Sequence, residues 1–140
     1  MQQQAEKVVK TMLEKDAYSR WLGIELVKIA PGTAVVRMKV RGEMLNGFGV
    51  CHGGITYALA DSAFAFAANT QGRISMSIQN SISYTRQVQL DDLLTASAVE
   101  SSPGDKIAVY DVIVTNQRNE EVALFRGTVY RTSKELIAHA

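Results

Sequence analysis

The sequence predicts an α+β fold in which one long apolar helix is wrapped by an antiparallel β-sheet. Two observations carry this. Residues 55–69 are dense in Ala and Leu, hold no Pro and meet Gly72 just past their end, the composition of a helix apolar nearly all round and therefore buried. Beyond it, Ile74, Met76, Ile78, Asn80, Ile82 and Tyr84 alternate with Ser75, Ser77, Gln79, Ser81, Ser83 and Thr85, which reads as a long strand with one oily face. At roughly 15 residues the helix is too short to span a bilayer.

In chain order, Ala5, Val8, Val9, Met12 and Leu13 recur at helical spacing, so residues 5–13 form an amphipathic helix. Asp16 is placed to cap a short second helix over residues 17–22, which Gly23 stops. Residues 24–29 and 33–40 flank Pro31-Gly32, a turn pair, and form a hairpin. After the central helix and the long strand, residues 93–99 make another strand, residues 101–105 turn the chain, and residues 107–115 follow. Asn116 to Glu120 is a polar hairpin loop, and alternation over residues 122–130 marks the last strand. One sheet covers one side of a helix. The far side therefore calls for dimerisation or a tight curl of the sheet.

A chain of 140 residues with 46% hydrophobic side chains makes one domain over residues 1–140, of which 1–22 are an N-terminal helical arm. Fifteen basic against fourteen acidic residues, net +1, provide no bulk attraction to nucleic acid or an anionic membrane. The N-terminus lacks an apolar signal core, and the single Cys51 has no intramolecular disulfide partner; both point to the cytoplasm.

Two residue groups point to chemistry. Asp61 lies in the apolar helix, where an unpaired carboxylate costs several kcal/mol or takes up a proton more readily. Gly53 and Gly54 open that helix with no side chain to shield its first N–H groups, a place where anions and polarised carbonyl oxygens bind.

The residues that carry these features, Asn46, Cys51-His52-Gly53-Gly54, Leu59-Ala60-Asp61 with Ala63-Phe64-Ala65, and Val122-Ala123-Leu124-Phe125-Arg126-Gly127, resemble the hotdog-fold acyl-CoA thioesterases. The likeness is strongest to the phenylacetate-degradation branch and runs from the N-terminal helix to about Arg131. An isolated His-Gly-Gly is a weak signal; an Asn six residues before the His and an Asp nine after it make it specific. The resemblance implies that the Gly53 N–H binds the thioester oxygen and that Asp61 attacks the carbonyl or activates water. It implies that Asn46 and His52 shape or assist the site and that Ser77 helps place the water. It also implies a site shared across a homodimer, dimers paired into a homotetramer, and no cofactor. A fixed donor at a developing oxyanion is worth about 2.7–4 kcal/mol of barrier.

One distance bears on the shared site. Asp61 lies eight residues beyond Gly53, roughly 12 Å along the helix. No single carbonyl touches both, so if they serve the same thioester they come from different subunits. Gly54, Ala58, Ala65 and Ala68 are small residues on the Asp61 face that let a partner or an acyl group approach.

Blander readings stand beside these. Asp61 without the resemblance is as readily a hydrogen-bonded structural carboxylate, and His52 orients the helix start rather than acting as a base. Cys51 and His52 are adjacent in extended chain and point apart, so the thiol is inert. Zinc fails on ligand count, with Cys51, His52 and His139 alone available as soft ligands and no CxxC or HExxH. Gly47-x-Gly49 lacks the third Gly of a dinucleotide loop. Arg86, Lys106, Arg126 and Arg131 are candidates for CoA phosphates, though such charges are mostly just solvated. Phe48, Tyr57 and Phe64 are candidates for an acyl pocket, with core packing as the default.

The expected function is therefore a cytoplasmic thioesterase that hydrolyses aryl-acetyl-CoA to the free acid and CoA without metal or redox cofactor. A non-catalytic acyl-CoA-binding module of the same fold is the alternative. Asp61 argues against it, as does the lack of room for an output domain. A hotdog dehydratase ranks last, for want of a second acid.

Overall fold

The computed structural model describes residues 1–137, so His139 lies outside the described residues. Helix α1 (Gln2–Lys15) and helix α2 (Ala17–Leu22) are followed by strands β1 (Glu25–Ala30) and β2 (Thr33–Lys39) and a single 3-10 turn (Gly42–Met44). The long helix α3 (Gly53–Asn69) comes next, then β3 (Arg73–Tyr84), β4 (Leu93–Ser102), β5 (Ile107–Thr115) and β6 (Glu121–Glu135). The six strands form one antiparallel sheet in the order β1-β2-β4-β5-β6-β3, curved around α3. This is the hotdog arrangement.

Local chemistry sets the breaks. The Asp16 carboxylate accepts the Ser19 N–H at 3.0 Å and so starts α2. Gly23 ends α2 in the left-handed conformation, φ 78°, and Gly32 takes φ 73° in the β1–β2 turn. At Gly127 the strand passes so close to the Phe64 ring that an added Cβ would lie 2.5 Å from Cζ, so the absence of a side chain on β6 is what seats this helix residue.

Twelve of the seventeen α3 residues are buried within this one chain. The sheet covers one side. The far side, expected to need a second subunit or a tighter curl, is covered by the chain's own arm: Ala5, Val8, Val9 and Leu22 are buried, and Ser19 Oγ meets Ser62 Oγ at 2.8 Å. What stays partly open is a stripe at every fourth residue, Gly53, Tyr57, Asp61 and Ala65, with Gly54 exposed at its head. Ala58 and Ala68, expected on that open face, are covered.

The expectation of one oily face along β3 is corrected. The ladder to β6 slips between Ser77 and Gln79, leaving Ile78 as an extra residue. Downstream, Asn80, Ile82 and Tyr84 stand opposite Gly127, Phe125 and Ala123 on the helix side. Upstream the phase reverses: Ser77, opposite buried Val129, faces the helix, and Met76, opposite Tyr130, faces away. A bulge sets two residues against one and so defeats strict alternation. Met76 and Ile78 are left 62% and 58% exposed on the edge strand.

Candidate active site

The segment before α3 is a compact loop organised by Asn46. Its side-chain oxygen accepts the N–H groups of Phe48 at 2.9 Å and Val50 at 3.4 Å, while its own N–H reaches the Val50 carbonyl at 2.8 Å. Asn46 therefore shapes the loop, and Phe48 stands at its tip, 92% exposed. Cys51 is buried against Val88, and burial pushes its thiol up from the ordinary range, which keeps it protonated and inert.

His52 caps α3. Its Nδ1 accepts the Gly54 N–H at 3.2 Å and its carbonyl accepts the Ile55 N–H at 2.9 Å. Of the first three helix amides, two are thus taken by His52, and that of Gly53 has no partner among the described residues. The Gly53 carbonyl is held separately, by the Tyr84 hydroxyl at 2.8 Å, whose ring carbon Cζ would stand 3.2 Å from any Cβ at Gly53. A groove of about 310 Å³ opens beside this amide, bounded by Val50, Thr56, Tyr84, Arg86 and Val88.

Asp61 sits half-buried two turns further on. Burial is the main cause that pushes its carboxyl above the ordinary carboxylate range, and the Asp16 carboxylate adds to it. Asn80 Nδ2 donates to the Tyr57 hydroxyl oxygen at 2.9 Å and, more weakly, to Asp61 Oδ1 at 3.4 Å. Its Oδ1 accepts from Ser77 Oγ at 2.8 Å. Asp61, Tyr57, Asn80 and Ser77 therefore form one polar network on the open edge of the helix. Gly53, Gly54, His52 and Asn46 gather at the other end. The candidate residues thus fall into two groups about 12 Å apart along α3 rather than one constellation.

Sequence reasoning counts Asn80 among the apolar residues of its strand and misses it. The signal that finds it is its being the sole amide in the phase of Ile74, Met76, Ile78, Ile82 and Tyr84. Phe64 is core, packed on Tyr110 and Phe125. Among the charges weighed for CoA, Arg126 pairs with Asp111 at 2.7 Å and Arg131 with Glu100 at 3.1 Å, while Arg86 reaches Glu120 at 3.4 Å beside the groove. Among the described residues no helix is long and apolar enough to cross a membrane.

Comparison with known proteins places this geometry. The thioesterase superfamily matches residues 48–123, the stretch from the loop through α3 into β6. The acyl-coenzyme A thioesterase PaaI of Escherichia coli (strain K12) is 39% identical over 140 residues, 100% of each chain. The structure of E. coli PaaI, a protein of the phenylacetic acid degradation operon, superimposes with a TM-score of 0.93 over 95% of this chain and 96% of that one. A Streptococcus mutans protein solved with acetyl CoA bound is 30% identical, with a TM-score of 0.77 over 80% of this chain and 90% of that one. A full-length relative and a family match over more than half of the chain lead to one conclusion: this chain belongs to the thioesterase superfamily.

Proposed function

We propose that the protein is an acyl-CoA thioesterase acting on aryl-acetyl-CoA thioesters of the phenylacetyl type, in aromatic degradation in the cytoplasm. The observation that carries the chemistry is the pairing of two half-sites: a free helix-start amide at Gly53, and a carboxylate at Asp61 held in the Tyr57–Asn80–Ser77 network. The helix separates them by about 12 Å, so Gly53 of one subunit and Asp61 of another serve one thioester. The exposed β3 edge, with Met76 and Ile78 bare beside the Asp61 half-site, supports cover by a second chain, and two such dimers make the homotetramer.

The thioester carbonyl oxygen lies against the Gly53 N–H, at the positive end of α3. Asp61 takes a proton from water as the water oxygen attacks the carbonyl carbon. Ser77 already donates its hydroxyl hydrogen to Asn80, so its lone pairs are left to accept the second hydrogen of that water and turn it. The oxyanion collapses, the C–S bond breaks, and the CoA thiolate takes the proton from Asp61, leaving free acid and CoA. Tyr57 and Gly54 line the acyl approach along the open stripe, with Phe48 reaching across from the loop tip of the neighbouring chain.

The test is release of CoA thiol from phenylacetyl-CoA and a short-chain acyl-CoA panel by the parent, Asp61→Ala and Asp61→Asn, with binding measured in parallel. Turnover by the parent that either substitution abolishes while ligand still binds is the expected result. Binding without turnover by the parent refutes the enzyme and leaves the acyl-CoA-binding module.

A further inference from the structure

The arm that covers α3 does more than fill space at one point. At the junction of α1 and α2, the Asp16 carboxylate accepts both the backbone N–H and the side-chain hydroxyl of Ser19, at 3.0 and 2.6 Å. Ser19 Oγ in turn stands 2.8 Å from Ser62 Oγ, in a contact buried between α2 and α3. With the Ser19 proton committed to the carboxylate, the Ser62 hydroxyl is the donor to Ser19. The result is a polar rivet, Asp16–Ser19–Ser62, that fixes the arm to α3 at the residue next to Asp61. N-capping alone needs the first of these bonds. The second orients the Ser19 hydroxyl, and the third joins the arm to the turn of α3 that carries Asp61.

We propose that Asp16 is a positioning residue for Asp61: through Ser19 and Ser62 it docks the arm on the reactive turn of α3 and sets a second negative charge beside the Asp61 carboxylate. This rests on the thioesterase reading. The groups facing Asp61 are Asp16 from the arm, Tyr57 from one turn earlier on α3, and the uncharged Asn80 from β3. Asp16 is the charged group whose field acts on it, in the same sense as burial. A like charge that raises proton affinity makes Asp61 a stronger base at neutral pH than an isolated surface carboxylate. The arm then serves the reaction: it excludes water from the far side of α3 and tunes the group that takes the proton.

The experiment compares the full-length parent with Asp16→Asn and Asp16→Ser, both of which keep an N-capping side chain and lose the charge. Two quantities are read: the pH profile of kcat/KM on phenylacetyl-CoA, and the titration of the Asp61 side-chain carboxyl by carbon NMR, assigned with Asp61→Asn. In both variants the Asp61 midpoint moves to lower pH, and the acid limb of kcat/KM moves to lower pH with it. An unmoved Asp61 titration in folded variants overturns the proposal, whatever the activity. Absence of turnover by the parent defeats the thioesterase reading instead, and the NMR titration still decides the role of Asp16.

Discussion

The sharpest test of the packing lies at Gly127, where strand β6 crosses the Phe64 ring. A Cβ built there meets Cζ, Cε1 and Cε2 of Phe64 at 2.5, 2.7 and 2.7 Å. Carbon atoms rest at about 3.5–4.0 Å, so Gly127→Ala drives a methyl about 1 Å into the ring face. The ring has nowhere to go. It is 1% exposed and wedged against Tyr110 and Phe125, with ring centroids 5.9 and 5.6 Å away. An alanine tolerated without strain would gain about 0.4–1 kcal/mol by narrowing the unfolded ensemble, whereas overpacking costs about 1–3 kcal/mol, so the clash wins by about 1–2 kcal/mol. For a domain of this size that lowers Tm by about 2–8 °C, read in thermal and urea melts at one fixed protein concentration. Phe64→Leu removes the obstructing atoms, and in that background Gly127→Ala costs less than about 0.5 kcal/mol. A Gly127→Ala protein as stable as its parent, or a cost unchanged by Phe64→Leu, refutes the reasoning.

Other expectations concern the charged and polar groups. Burial raises the Asp61 carboxyl in the folded state, so the folded chain holds that proton more tightly than the unfolded one, and stability is lost as pH rises from the unfolded through the folded value. Asp61→Asn therefore melts higher than the parent at neutral pH, and the gap closes below the ordinary carboxylate range; a gap that persists in acid contradicts this. Asn80→Ala removes the donor shared by Tyr57 and Asp61 and frees Ser77 to rotate, which lowers kcat about tenfold to a hundredfold with KM little changed; a change confined to KM speaks against the role given to Asn80. Burial, helped by the hydrogen bond to Glu100 and opposed by Arg131, pushes the Tyr110 hydroxyl up to about 12. Ultraviolet titration therefore shows a tyrosine step near pH 12, and Tyr110→Phe removes it.

Much of this was legible from local chemistry. The Asp16 cap, the Pro31-Gly32 turn and the bounds of α3 follow from residues acting on their own backbone, and the structure places each where the sequence does. The β3 bulge is different: nothing in the alternation of residues 74–84 reports that Ile78 will be left unpaired, because the register there is decided by Thr128 and Val129 of β6, about fifty residues away. Asn80 was lost for the same reason, since its partners Tyr57 and Asp61 lie on a helix it meets only in the fold. That the first 22 residues form an arm is readable, whereas its seat on α3 is not, since periodicity shows that a face is apolar and not what lies on it. The motif at Asn46, His52, Gly53 and Asp61 was plain as a pattern, whereas the division into two ends of one helix needed only the rise per residue.

The pairing of β3 with β6 has a consequence for how the protein is made. On the ribosome, β3 emerges with its hydrogen-bonding partner still some forty residues from being synthesised, at about 5–20 residues per second. Through that interval Val8, Val9 and Leu22 of the arm and the apolar surface of α3 must wait with the sheet unfinished, a non-local closure of the kind that slows folding. Ser77 and Asn80 acquire fixed places only when β6 arrives, so a nascent chain released before Phe125 and Gly127 has α3 but no second wall for it to face.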